Sequence, residues 1–251
     1  MTMILPGGEP FFLKGGSTGC LLVHGFTASP QEMSWMGEYL NKRGCTVLGI
    51  RLTGHATQLK DLARARWQDW QHSVEDGYHM LSSRCQNVIP IGISLGGALS
   101  LKFAAIHDVP AVVCMSTPYE LQVPPVWLLK AISTIMPVKK KGATNWSAPD
   151  AGEARVDYRG YPLRAIAETA LMVDSLHPDL RRITCPVLLM HSRADDFVPP
   201  ENMDRLYAAI GSDFKEKKLF DRSNHILTCD IDREDVFQTA AEFLEKYRLL
   251  P

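Results

Sequence analysis

Short apolar runs recur along the chain, separated by longer stretches in which apolar residues return every three or four positions. Five runs stand out: Cys20–Val23, Thr46–Ile50, Val88–Ile91, Ala111–Met115 and Pro186–Met190. Each is short, rich in aliphatic or β-branched residues and bounded by turn formers, the pattern of a strand buried on both faces. Helical periodicity over about 30–43, 67–83, 94–107, 201–210 and 232–247 puts a crossover-length segment between successive strands, and Glu216–Phe220 supplies a last strand. The expected fold is α/β: a mostly parallel sheet with helices on both faces.

One stretch interrupts this alternation. From about Tyr119 to Asp179 no strand-like run occurs, and Pro124, Pro125 and Pro137 come early in it. The economical reading is a small helical cap, residues 119–179, inserted between two strands of a core made of residues 1–118 and 180–251. Within the cap, residues 121–149 hold Lys130, Lys139, Lys140 and Lys141 and no acidic residue, a locally basic patch in a balanced chain.

Composition narrows the function classes. The 251 residues carry 27 basic and 28 acidic side chains, a net charge of -1, which gives no electrostatic reason to expect a nucleic-acid partner. At 45% hydrophobic residues, disorder is excluded. No run of about 18 apolar residues occurs, so no membrane span is expected. The first residues lack the basic and apolar blocks of a secretory signal. The six cysteines form no C-x-x-C pair, and four of them sit in or beside apolar runs, where a free thiol acts as a small core residue. A cytoplasmic protein with reduced thiols is the consistent expectation.

Candidate chemistry begins with the pattern G-x-S-x-G, which occurs twice. A chance match is expected in roughly one chain in ten of this length, so context has to decide. Gly15-Gly16-Ser17-Thr18-Gly19 precedes a strand, which makes Ser17 a loop residue. Gly92-Ile93-Ser94-Leu95-Gly96 follows the run Val88–Ile91 and opens the helix beginning near Gly97. That is the strand-turn-helix setting of a nucleophile elbow, and it makes Ser94 the candidate nucleophile. The helix N-terminus beside it favours a developing negative charge.

A serine hydroxyl needs a base. His225, in Ser223-Asn224-His225, follows the last strand and precedes the last helix, where a loop can reach over the carboxyl edge of the sheet. Asp195, just after the strand Pro186–Met190, is the candidate to orient it, with Asp196 assigned to capping the turn. The loop His24-Gly25-Phe26-Thr27 crosses the same edge. It can offer the Phe26 amide, beside that of Leu95, to an oxyanion. His24 and the turn Gly54-His55 read as braces for that loop. His191 reads as a strand residue, and no H-E-x-x-H or Cys/His spacing points to a metal.

These residues, in this order, resemble the α/β-hydrolase superfamily and within it the small bacterial carboxylesterases and monoacylglycerol lipases. The resemblance spans about residues 20–120 and 180–247. It implies a serine esterase with Ser94, Asp195 and His225 as triad, Phe26 and Leu95 as oxyanion donors, and no cofactor. The substrate it implies is a small-molecule ester or monoacylglycerol. Phe26, Trp127, Ile132 and Val198 are the tentative pocket residues. The apolar helix around Val126–Met136 reads as a lid on an acyl pocket, with weak lipid-surface contact through the neighbouring lysines as a lesser expectation. A thioesterase or carbon–carbon bond hydrolase would use the same triad, and a ligand-binding receptor on this fold is the rival from another class.

Overall fold

A run that is apolar at every position has to be covered on both sides, and the structure shows how. A computed structural model describes residues 3–142, 145–152 and 155–250. Among the described residues nine strands are formed: β1 (Phe11–Leu13), β2 (Thr18–Val23), β3 (Thr46–Ile50), β4 (Asn87–Ile93), β5 (Val112–Met115), β6 (Val138–Lys140), β7 (Gly160–Pro162), β8 (Val187–Ser192) and β9 (Lys215–Phe220). The helices are α1 (Ser34–Lys42), α2 (Leu59–Arg64), α3 (Trp67–Ser82), α4 (Leu95–Ile106), α5 (Val126–Ile132), α6 (Leu163–Leu176), α7 (Glu201–Ala209) and α8 (Arg233–Lys246). Seven strands make one sheet in the order β1-β3-β2-β4-β5-β8-β9, parallel except for β1.

Alternation along each strand divides the core in two. Leu21 and Val23 of β2, Val112 and Cys114 of β5, and Val187 and Leu189 of β8 pack with Trp70, Leu99 and Phe103 of α3 and α4. Their neighbours Cys20, Leu22, Val113, Met115, Leu188 and Met190 pack on the other face with Met36 and Leu40 of α1 and with Phe237 and Leu244 of α8. The expected mostly parallel sheet with helices on both faces is the one observed.

Topology fixes where a ligand can enter. From β2 the chain moves to one side to form β3, then returns past β2 to form β4 and continues outward through β5, β8 and β9. The loops leaving β2 and β4 therefore diverge, and a crevice opens at their carboxyl ends. No helix is long and apolar enough to cross a membrane among the described residues.

The segment between β5 and β8 departs from the helical reading. It contains α5 and α6, but also an antiparallel pair, β6 with β7, in the register Lys139 opposite Tyr161. Three residues per strand, spelled Val-Lys-Lys and Gly-Tyr-Pro, give no run that a periodicity reading can detect. The edge strand β1, also three residues, escapes for the same reason.

Candidate active site

β4 ends at Ile93 and α4 starts at Leu95, so Ser94 alone makes the turn. Its backbone sits at φ 54° and ψ −119°, a strained conformation for a residue with a side chain. The glycines on either side are required by contact: a Cβ on Gly92 would lie 2.2 Å from the Gly96 carbonyl oxygen, and one on Gly96 would lie 2.1 Å from that of Val23. The Ser94 amide donates to the Met115 carbonyl at 2.8 Å, which pins the turn to the next strand. Ser17 is exposed in the loop before β2, at the opposite edge of the sheet from Ser94.

His225 lies in the loop after β9 and reaches back over β4. Its Nε2 is 3.0 Å from Ser94 Oγ, and its Nδ1 is 2.7 Å from Asp195 Oδ2. The His225 loop is itself fixed by two buried carboxylates. Asp230 accepts from the amides of Asn224, Ser147 and Ala148, and Asp232 accepts from those of Arg222 and Ser223.

Asp195 does more than face the histidine. Its Oδ1 accepts the Phe197 and Val198 amides at 2.9 and 2.8 Å, so Asp195, and not Asp196 as the sequence suggests, closes this turn. Asp196 instead accepts from the Asn145 side chain at the cavity mouth. Burial pushes the Asp195 carboxyl up. The charge of His225, hydrogen bonds from His191 and His225, and the Val198 amide together outweigh that and hold it well below the usual carboxylate range. His191 is the partner missed in the sequence: its Nε2 lies 2.9 Å from the Val198 carbonyl and 3.2 Å from Asp195 Oδ2. The only signal was a polar residue at the carboxyl end of an apolar strand.

The loop after β2 is braced as expected. His24 Nε2 accepts the Leu52 amide at 3.2 Å, so the proton is on Nδ1, which donates to the Gly25 carbonyl at 2.8 Å. Burial pushes the His24 pKa down to about 4, which keeps this brace neutral at pH 7. The amides of Phe26 and of Leu95, the first residue of α4, have no backbone acceptor among the described residues. The Phe26 ring meets Trp70 and His55 edge-on and stacks on Tyr161 of β7 at 6.0 Å.

Tyr161 in turn lies 6.2 Å from the Phe197 ring, and Phe197 lies 5.0 Å from His225. This aromatic arc roofs Ser94 and splits the crevice into two arms, each a cavity of about 280 Å³. One arm is mainly apolar, lined by Leu95, Leu121, Val123, Ile166 and Pro199. The other is of mixed polarity, with Glu32, Lys141, Asn145, Arg155 and Asn224 beside the Trp146 ring and Ile226. Phe26, Ser94, Lys139, Tyr161 and Phe197 border both.

Of the tentative pocket residues, only Phe26 lines these cavities. Trp127 is 70% exposed and lines neither cavity, because α5 packs on α6 through Leu129. Ile132 is held against that same small cluster. Val198 is buried and contributes its backbone to Asp195 and His191 rather than its side chain to the cavity.

Known proteins are similar to this chain over almost its whole length. The family model described as serine aminopeptidase, S33 (Hydrolase_4) matches residues 17–232. The chain is 33% identical over 245 residues to a thermostable monoacylglycerol lipase of Bacillus sp. (strain H-257), covering 97% of each protein. It is 28% identical to a carboxylesterase of Bacillus subtilis (strain 168), covering 98% of this chain and 99% of that one. A solved structure from a study of the metagenome-derived lipolytic enzymes LipS and LipT superposes with a TM-score of 0.91 at 29% identity, over 97% of this chain and 99% of that one. The chain thus belongs to the Hydrolase_4 (serine aminopeptidase, S33) family and is a serine hydrolase of the α/β-hydrolase type.

Proposed function

We propose that the protein hydrolyses carboxylic esters of the carboxylesterase and monoacylglycerol class through an acyl-enzyme on Ser94. The observation that carries this is the continuous hydrogen-bonded line Ser94–His225–Asp195 at the meeting point of a mainly apolar arm and one of mixed polarity. An ester has an apolar acyl group on one side of its carbonyl and a more polar alcohol on the other, so the two arms match its two halves.

The steps follow from the positions of the groups. His225 Nε2 takes the Ser94 proton as Oγ attacks the carbonyl carbon. The Phe26 and Leu95 amides receive the oxyanion, and the α4 N-terminus adds its field. The carbonyl re-forms, the carbon–oxygen bond to the alcohol breaks, and His225 gives its proton to the leaving oxygen. Water then repeats the sequence on the acyl-enzyme, releasing the acid and free Ser94. Asp195 keeps the Nδ1 proton in place throughout and stabilises the imidazolium.

In this reading residues 119–179 are a cap, which supplies Tyr161 and Lys139 to the roof and Leu121, Val123 and Ile166 to the acyl arm. Its outer side exposes Trp127, Ile135 and Met136, a face suited to weak contact with a lipid aggregate. A panel of nitrophenyl esters of rising acyl length, run below and above each substrate's solubility limit, tests the proposal. Turnover that peaks at a medium acyl length is expected, with a modest rise above the limit. Absence of ester turnover at every length overturns the proposal, and a flat response across the limit removes the surface contact.

A further inference from the structure

His191 takes no part in the steps above and lines neither arm of the crevice, yet it meets Asp195 as His225 does. It follows Val187, Leu188, Leu189 and Met190 in β8, and its side chain is 1% exposed. A polar ring buried behind such a run costs stability unless it is bonded. The bonds found are specific. Nε2 lies 2.9 Å from the Val198 carbonyl oxygen and 3.2 Å from Asp195 Oδ2. Both neighbours are acceptors, so Nε2 carries the proton and donates. The better aligned bond goes to Val198, with the carboxylate oxygen beside it as a second acceptor.

The two acceptors belong to one closed ring of contacts. The Val198 amide donates to Asp195 Oδ1 at 2.8 Å while the Val198 carbonyl accepts from His191. The Phe197 amide completes the hold on Oδ1, and Oδ2 is left to the two histidines. The carboxylate is thus held at both oxygens, with Oδ2 aimed at His225 Nδ1 2.7 Å away. The His191 N–H beside Oδ2 also draws off part of its negative charge. The Nδ1 proton then stays on His225 when the imidazolium forms, instead of passing to the carboxylate.

We infer that His191 is a positioning residue of the triad, which holds the Asp195 carboxylate toward His225 and keeps that carboxylate from taking the Nδ1 proton. This rests on the ester-hydrolase reading above. His191 touches no part of the cavities, so its effect falls on turnover and not on substrate choice. Among the described residues Asp195 is the charged group bonded to the His225 ring. Asp230 and Asp232 lie under the His225 loop and take the amides of Asn224 and of Arg222 and Ser223. Across the cavity that His225 faces stand Asp196, Glu32, Arg155, Lys139, Lys140 and Lys141. A change at His191 alters none of these, so a moved acid limb reports on Asp195.

The test is a pair of variants. His191→Phe keeps the ring and removes the donor, whereas His191→Gln puts an amide N–H near the place of Nε2. With a donor lost, Oδ2 presents more negative charge to His225 and favours the imidazolium. The acid limb of kcat/KM for nitrophenyl butyrate should therefore move up by about one pH unit in His191→Phe. Its kcat at the optimum should fall by about ten-fold, the scale of a lost hydrogen bond to a charged group, with KM unchanged. His191→Gln should recover most of both. An unmoved acid limb in His191→Phe overturns the inference. So does an equal shift in the two variants, which would make the ring only a packing unit. The unaltered protein supplies an arm that needs no variant to fold. Its side-chain nitrogen NMR spectrum should show His191 protonated on Nε2, and a proton on Nδ1 instead overturns the inference. Labelling of Ser94 by a fluorophosphonate over the same pH range should follow kcat/KM. An unaltered protein that is labelled at Ser94 yet hydrolyses no ester overturns the ester-hydrolase reading, and the labelling rates then decide on His191.

Discussion

The loops that carry Ser94, Asp195 and His225 and the roof that covers them are built by different means. The three loops are short and leave parallel strands of one sheet. Each is tied by buried backbone hydrogen bonds: Ser94 to Met115, Asp195 to the amides of residues 197 and 198, and the His225 loop to Asp230 and Asp232. The roof rests on two three-residue strands and a few side-chain ties. Among these, the Tyr158 hydroxyl bonds to Gly54 and Thr57, and Asp230 holds Ser147 and Ala148. Relative positions at the sheet edge are set by the core, whereas those of the roof depend on individual contacts. Substitutions in the first region should therefore strike the chemical step, and those in the second should alter substrate choice.

The sharpest way to break this contrast is at the sheet edge. Asp195→Asn keeps the shape of the turn but presents an amide to His225 Nδ1 and favours the wrong tautomer, so kcat should fall by about ten-thousand-fold with little change in KM. Steady-state kinetics on a soluble ester would show it. A loss of less than ten-fold would mean that Asp195 serves the turn and not His225. The roof offers the smaller effect. Tyr161→Ala removes the ring between Phe26 and Phe197 and merges the two arms, so kcat/KM should fall by about ten-fold on long acyl chains and less on short ones. If Tyr161→Ala instead lowers kcat equally at every chain length, the division between chemistry and substrate choice fails.

The same contrast explains what could be read from the residues alone. Ser94 was legible because the turn demands glycines at fixed offsets between a strand and a helix, and only one of the two G-x-S-x-G matches has that setting. Asp195 was legible because it follows an apolar strand, and His225 because it lies between the last strand and the last helix, both at the edge where ligands bind in such sheets. His191 was not, since a histidine in a strand carries no sign of the carboxylate it meets. Its contact with Asp195 depends on the turn at residues 195–198. The roof was not legible for a stronger reason. Its strands are too short to show a period, and the apolar helix α5, which does show one, packs on α6 and leaves Trp127 outside the cavity.

Everything proposed about substrate depends on Ser94 being the residue that becomes acylated. The direct measurement is labelling with a fluorophosphonate, followed by mass spectrometry of the modified peptide. A single adduct on Ser94 is expected, formed in step with loss of ester turnover. Ser94→Ala should be folded, unlabelled and slower by about a million-fold, by the precedent of serine protease triads. An adduct on Ser17, or turnover in Ser94→Ala close to that of the unaltered protein, would contradict the account.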